Sequence, residues 1–235
     1  MSTNVSYSTS SNSVISDLML WAIFYLQTFI SALIAGVSFF RYWERDTVVK
    51  LIGLFFLISC VCNCAQYLCL KLGVALVNQV ATAYVFLTII VGTWLYDLIL
   101  GQRFSRRLLI ISSIAFGWGL IVVFFIQNSG ENTTYISLAA AFLWLMYSIV
   151  YFYRLMQDMP TIHLHRLPAF WFNSSFLIYS SGTIVLFASH DYLIRVQVSF
   201  WAFHNFVFIL SQLIVLIGLY YDLKNANPKQ TRAIR

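Results

Sequence analysis

Between residues 18 and 221 the chain consists almost entirely of seven apolar stretches, each bounded by charge or by Gly, Asn or Pro. An α-helix of about 20 such residues crosses the hydrocarbon core of a bilayer. Lipid offers the backbone no hydrogen bonds, so only helices and closed barrels can cross it. The sequence predicts an all-α, polytopic membrane protein with a seven-transmembrane helix bundle. The predicted spans are Leu18 to Phe40, Val49 to Leu72, Val77 to Leu100, Leu108 to Ile126, Tyr135 to Met156, Leu167 to Ser189, and Val196 to Tyr221.

The composition excludes a large soluble domain. Only 9% of the 235 residues are charged, 60% are hydrophobic, and the mean hydropathy is +0.80. A soluble domain has about 25% charged residues, so the few charges here suffice only to flank the spans. We expect a flexible external tail over 1–17, a transmembrane domain over 18–222 and a short basic cytoplasmic tail over 223–235.

The basic residues predict how the chain lies in the membrane. Short loops rich in Lys and Arg stay cytoplasmic, and one set of loops and ends holds twelve of the 14 basic residues. The other set holds only Lys71 and Arg195. An external N-terminus and a cytoplasmic C-terminus follow, which requires an odd number of spans. The twelve are Arg41, Arg45, Lys50, Arg103, Arg106, Arg107, Arg154, Arg166, Lys224, Lys229, Arg232 and Arg235.

The net charge of +6 is therefore a signal of orientation. A nucleic-acid-binding protein would cluster its basic residues on a soluble face, so we expect no nucleic acid partner. The first seventeen residues are rich in Ser and contain no Lys or Arg, unlike the basic start of a signal peptide. We expect the first span to remain in the mature protein, with Trp21 and Trp43 as anchors at the two interfaces.

Polar side chains inside the spans are the best pointers to function, because such residues usually face the interior of the bundle. At a rise of about 1.5 Å per residue, Gln27, Gln66, Tyr84 and His204, on four different spans, come to a similar depth in the outer half of the membrane. Further polar residues share a helix face with these four or lie next to them in the sequence. The sequence predicts a polar network or ligand-binding chamber that opens to the outside. Its candidate residues are Gln27, Asn63, Gln66, Tyr84, Tyr179, His204 and Asn205.

These polar residues allow three interpretations. Asn, Gln, His and Ser can hold helices together as purely structural contacts. They can line a ligand pocket, in which His204 both donates and accepts hydrogen bonds. They can also form a proton or ion route. Asp97 is the only carboxylate inside a span, so it is either a partner of the arginines that follow it or a coupling residue that changes protonation or partner as the bundle moves.

The motifs of several membrane-protein classes are missing. A retinal protein needs a Schiff-base lysine in the seventh span, and none lies between Arg195 and Lys224. Haem held by two histidines would need paired histidines within the membrane, and zinc would need three or four ligands. His204 is the only histidine within a predicted span, so the sequence meets neither requirement. No hydrolase motif or phosphate loop is present. We therefore expect no catalytic residues, metal or cofactor, and an enzyme is disfavoured.

The last two spans resemble a known group of proteins. The segments FWFNSSFLIYSSGTIVLF and FWAFHNFVFILSQLIVLIGLYYDLK are similar to small seven-span inner-membrane proteins of Bacteroidetes-type bacteria. The most specific part is Trp201, His204 and Asn205, followed by Gly218, Leu219 and Tyr220. The chain also looks like the membrane portion of some bacterial sensor proteins. The resemblance implies a seven-helix fold in the inner membrane and leaves the activity open.

The main functional hypothesis is a sensor or small-ligand-binding membrane protein without its own effector domain. Its ligand would be a small molecule, a lipid or a quinone-like compound, and its signal would pass to a cytoplasmic or membrane protein partner. One alternative is a transporter or channel with a polar track past Ser211, Asn173 and Asp97. Another is a structural subunit of a membrane complex, favoured by the small residues Ala32 with Gly36 and Ser113 with Gly117.

Overall fold

A computed structural model of the chain describes the backbone of residues 9–40, 46–73, 76–100, 110–112, 114, 117–119, 132–158, 164, 167–189 and 200–225. Side chains are described for the same residues except 9–20, 132–135, 158, 200, 201 and 225. Every regular element in these ranges is helical. The helices are α1 (Thr9–Phe39), α2 (Thr47–Lys71), α3 (Val77–Leu100), α4 (Ile110–Gly119), α5 (Asn132–Asp158), α6 (Pro168–Ala188) and α7 (Phe200–Asn225).

Six of these helices are long and apolar enough to cross a membrane, and they correspond to six of the predicted spans. The bounds of α2, α3 and α6 lie within two residues of the prediction. Pro168 occupies the first turn of α6, as expected, where its missing N–H costs nothing. α4 is shorter, and residues 120–126 of the predicted fourth span lie outside the described residues. Seven spans therefore remain a prediction, as does the orientation of the two ends.

The first helix is longer than predicted. α1 begins at Thr9, nine residues before Leu18, so it includes residues 9–17, which the sequence assigns to a flexible tail. The rest of that tail, residues 1–8, lies outside the described residues. At about 1.5 Å per residue, the 31 residues of α1 extend well beyond the hydrocarbon thickness of a bilayer. The extra turns belong to the N-terminal end of the helix.

The six long helices form a closed ring. α1 packs on α2, α2 on α3, α3 on α5, α5 on α6 and α6 on α7, and α7 returns to α1. Neighbours along the chain run antiparallel. At one end of the bundle, Trp21 at the start of the apolar part of α1 meets Tyr67 near the end of α2. At the opposite end, Trp171 at the start of α6 stacks on Tyr221 near the end of α7, with ring centroids 6.0 Å apart.

The outer surface of the ring is apolar, as a lipid-facing surface must be. Large side chains such as Phe29, Ile90 and Val185 are exposed on α1, α3 and α6. In water such a surface would drive aggregation, whereas in a bilayer it contacts acyl chains. The structure therefore supports a multi-pass membrane protein in contact with lipid.

Aromatic rings fill the middle of the bundle and form what we call the aromatic floor: Phe55, Tyr96, Trp144, Tyr147 and Phe176. Trp144 stacks on Phe176 with centroids 5.4 Å apart and planes 13° apart, and Phe55 meets both rings edge-on. Tyr96 lies 4.9 Å from Tyr147. These rings come from α2, α3, α5 and α6, so the floor joins four helices. Trp144, Tyr147 and Tyr151 form one aromatic stripe along α5, and all three are buried, so the stripe packs inside the bundle.

Candidate functional site

Four polar side chains from four helices meet in the part of the bundle predicted to face outward, and we call them the outer polar cluster: Ser59, Tyr84, Tyr179 and His204. The ring of Tyr179 packs edge-on against His204, with centroids 5.9 Å apart. The hydroxyl of Tyr84 lies close enough to Tyr179 and to the Ser59 side chain to interact with both. Three of the residues predicted for the site, Tyr84, Tyr179 and His204, are therefore brought together.

Phe208 separates the outer polar cluster from the aromatic floor. It lies one turn after His204 on α7, and its ring is 5.2 Å from Tyr179. On the other side it stacks on Phe56 of α2, with centroids 6.3 Å apart. Phe176 of the floor lies one turn before Tyr179 on α6. Apolar rings therefore border the outer polar cluster on the side that faces the aromatic floor.

The other residues predicted for the chamber on α2 and α7 are Asn63, Gln66 and Asn205. Asn63 is one turn after Ser59 on α2, and its amide nitrogen is buried with no hydrogen-bond partner among the described residues. Gln66 and Asn205 are partly buried. Within the described part of the chain, no hydrogen bond or ring contact joins these two to the outer polar cluster. Their place in the site remains a prediction.

Gln27 takes part in a different contact, deeper along α7. The side-chain amide of Gln212 donates to the backbone oxygen of Gln27 at 3.3 Å and to Ser31 Oγ at 2.6 Å. Gln212 is fully buried and Gln27 is 7% exposed. We call these three residues the glutamine seam, since they join α1 to α7 where the ring closes. Gln212 lies two turns after His204 on the same face, a spacing that could have pointed to it from the sequence.

Two further hydrogen bonds join neighbouring helices below the cluster. Tyr96 of α3 and Ser148 of α5 have their hydroxyl oxygens 2.9 Å apart, and Ser175 of α6 donates to the backbone oxygen of Ser211 at 2.8 Å. Asn173 instead donates within its own helix, to the backbone oxygen of Ala169. Much of the polar content of the spans therefore holds the bundle together, which is the structural interpretation that the sequence also allows.

Asp97 is partly buried near the C-terminal end of α3, directly after the fully buried Tyr96. The arginines proposed as its partners, Arg103, Arg106 and Arg107, lie outside the described residues. Its role as an ion-pair partner or as a coupling residue therefore stays a prediction. In the aromatic floor, Tyr96 and its neighbours occupy the space between the level of Asp97 and the outer polar cluster.

The cysteines and the potential metal ligands form no recognisable centre. Cys60, Cys62, Cys64 and Cys69 are all free thiols on α2, and Cys64 is exposed on the outer surface of the bundle. Among the described residues, no three His, Cys, Asp or Glu side chains come together as a metal ion would require. The outer polar cluster offers hydrogen bonding by hydroxyl and imidazole groups.

Comparison with known proteins adds no relative: no family model matches this chain, and neither does any curated protein or solved structure. The resemblance of the last two spans to small bacterial inner-membrane proteins therefore remains a prediction. Any statement of function depends on the side chains described above.

Proposed function

We propose that this chain is a membrane sensor or small-ligand-binding protein that receives its ligand at the outer polar cluster. The observation that carries the proposal is the meeting of Tyr84, Tyr179 and His204 from three helices. Small-molecule sites are mostly apolar, with a few convergent polar groups that orient the ligand. The cluster fits that description, because its hydroxyls and imidazole lie among aromatic rings.

The ligand class follows from this lining. Phe208 and Phe56 offer flat apolar surfaces, while Tyr84, Tyr179 and His204 offer hydrogen bonds to one polar end. The cluster contains no Asp, Glu, Lys or Arg side chain that would bind a charged ligand. We therefore favour a neutral, partly aromatic or lipid-like molecule, such as a quinone-like compound, with one or two carbonyl or hydroxyl groups.

The aromatic floor supports a sensor rather than a transporter. A transported solute would have to pass the stacked pair of Trp144 and Phe176 and the edge-on ring of Phe55. These rings come from three helices and pack at 5.4 to 5.8 Å between centroids. Ligand binding above such a floor can instead shift the helices against one another, and the basic loops would carry the change to a partner protein.

Thermal unfolding with a short-chain quinone, decylubiquinone, as the probe tests this proposal. The full chain in lipid nanodiscs should unfold at a higher temperature with the probe, in a concentration-dependent manner, because a ligand that binds only the folded state stabilises it. The variants Tyr84→Phe and Tyr179→Phe each remove one hydroxyl and should weaken this stabilisation. Tyr220→Phe is the matched control, since Tyr220 lies exposed at the far end of α7.

The results would separate a binding site from a purely structural cluster. The probe and a panel of sterols and lysolipids are each added to the native protein and to His204→Ala. If none of them changes the unfolding temperature of either protein, a ligand role for the cluster is wrong. If Tyr84→Phe lowers stability equally with and without the probe, the hydroxyl of Tyr84 is structural. Solute flux in liposomes that disappears in Asp97→Asn would favour the transporter instead.

A further inference from the structure

The glutamine seam contains two buried hydrogen-bond acceptors with no donor. Gln27 Oε1 and Gln212 Oε1 are both buried, and neither has a hydrogen-bond partner among the described residues. The Gln212 side chain reaches the backbone of Gln27 at the contact of α1 with α7, although the two residues are 185 apart in the sequence. Gln212 is fully buried and Gln27 is 7% exposed, so bulk solvent does not reach them freely.

The donors of Gln212 are already used. Its amide nitrogen carries two hydrogens, and it donates to the backbone oxygen of Gln27 and to Ser31 Oγ. Exchanging the amide oxygen and nitrogen would place Gln212 Oε1 against the backbone oxygen of Gln27, which can only accept. The hydrogen bond to this backbone oxygen therefore determines which end of the Gln212 amide is the oxygen.

A buried acceptor without a donor is costly, and it is more costly in a membrane, where water is scarce. Buried water commonly satisfies such groups when two to four polar partners surround it. One water molecule has two hydrogens to donate, which matches the two carboxamide oxygens. Its own oxygen can accept a hydrogen bond from the Ser31 hydroxyl.

We propose that the glutamine seam is a binding site for a water molecule that donates to Gln27 Oε1 and Gln212 Oε1 and so joins α1 to α7. The site is separate from the outer polar cluster, because His204 lies two turns earlier on α7 and Phe208 lies between them. It goes beyond the proposed ligand site, and it places a bound water where the ring of helices closes.

Infrared spectra of the full chain in nanodiscs test this proposal. They are recorded in ordinary water and in water labelled with the heavy oxygen isotope, for the native protein and for Gln27→Met, Gln212→Leu and the control Leu33→Met. An O–H stretching band that shifts with the oxygen isotope should be present in the native protein and in Leu33→Met. It should be lost in Gln27→Met and in Gln212→Leu. Leu33 lies on the same helix and is exposed on the outer surface.

The unfolding temperature of Gln27→Met provides a second readout that does not depend on Gln212→Leu folding. If water is bound, removing its acceptor should lower the unfolding temperature by roughly 2–4 °C. If Gln27 Oε1 is unpaired, replacing it by an apolar group should raise the temperature, and the proposal is then wrong. A lowered temperature with no loss of the isotope-sensitive band would indicate a direct contact between the two amides and would also overturn it. So would a stabilisation by sodium chloride over choline chloride that both glutamine variants abolish, since the site would then hold a cation.

Discussion

The hydroxyls of Tyr96 and Ser148 lie 2.9 Å apart inside the bundle, and both side chains are fully buried. Each would be an unpaired polar group without the other. Within a membrane, interhelical hydrogen bonds of this kind contribute about 0.6–2 kcal/mol. The pair therefore holds α3 against α5, the two helices between which α4 lies in the sequence.

A double-mutant cycle measures this contact. Tyr96→Phe and Ser148→Ala should each lower the free energy of unfolding by about 0.6–2 kcal/mol. The double variant should lose little more than the larger single change, because both substitutions remove the same hydrogen bond. Tyr220→Phe, at an exposed site, should have no effect. Strictly additive losses, measured by denaturation in mixed micelles, would show that the two hydroxyls do not depend on each other.

Two glycines with different surroundings provide a second test at the residue scale. The ring of Trp144 occupies the place that a Cβ at Gly92 would take, whereas no other side chain approaches a Cβ at Gly36 within 4 Å. Gly92→Ala should therefore destabilise the protein by about 1–3 kcal/mol through overpacking. Gly36→Ala should be neutral or stabilising, since alanine favours a helix. Equal unfolding temperatures for the two variants would show that Trp144 can move away without cost.

At the scale of helices, α6 and α7 pack closely because glycines lie at their contact. A Cβ at Gly182 would lie 2.6 Å from Val207 Cγ1, and a Cβ at Gly218 would lie 2.7 Å from the ring of Phe172. Small residues let helix backbones approach and replace the hydrophobic driving force that lipid does not supply. The hydrogen bond from Ser175 to the backbone of Ser211 depends on the same close approach.

A compensating pair of substitutions tests the packing of α6 on α7. Gly182→Ala should lower the unfolding temperature, because its methyl group collides with the two γ-methyl groups of Val207. Combining it with Val207→Ala should restore part of the loss, since the Cβ of residue 207 would remain at an ordinary 3.6 Å. Val207→Ala alone should be mildly destabilising through lost packing. If the double variant is less stable than both single variants, the collision with Val207 is not the cause of the lower stability of Gly182→Ala.

For the whole molecule, the closed ring determines which side chains can meet. α7 contacts both α6 and α1, so its polar face serves two neighbours: His204 meets Tyr179 of α6, and Gln212 meets Gln27 of α1. The outer polar cluster and the glutamine seam are therefore two sites at different depths of one helix. A ligand that moves α7 at the first site would act on the contact that closes the ring at the second.

The number of spans and the orientation form a prediction at this scale. In a variant whose four native cysteines are replaced by alanine, Ser8→Cys should react with a membrane-impermeant maleimide on intact cells. Ala233→Cys should react only after the membrane is permeabilised, because the distribution of Lys and Arg among the loops predicts a cytoplasmic C-terminus. Reaction of both positions on intact cells, or of neither, would place the two ends on the same side. The chain would then have an even number of spans.

The sequence by itself determined the helices and most of their bounds. A bilayer requires about 20 apolar residues per crossing, so α2, α3 and α6 could be placed to within two residues. It also pointed to Tyr84, Tyr179 and His204, because polar groups in lipid are few and turn inward. The long start of α1 was missed, since the polar, Ser-rich residues before Leu18 carry no apolar signal.

Only the tertiary structure decided which polar groups meet. The helices are apolar on nearly all sides, because both lipid and the core favour apolar side chains, so the sequence does not show which face turns to which neighbour. Gln27 was expected beside Gln66 and His204 by depth, yet it lies against Gln212 because α1 packs between α2 and α7. The aromatic floor likewise depends on rings from four helices. Depth follows from position along a helix, but contact follows from the order and rotation of the helices in the ring.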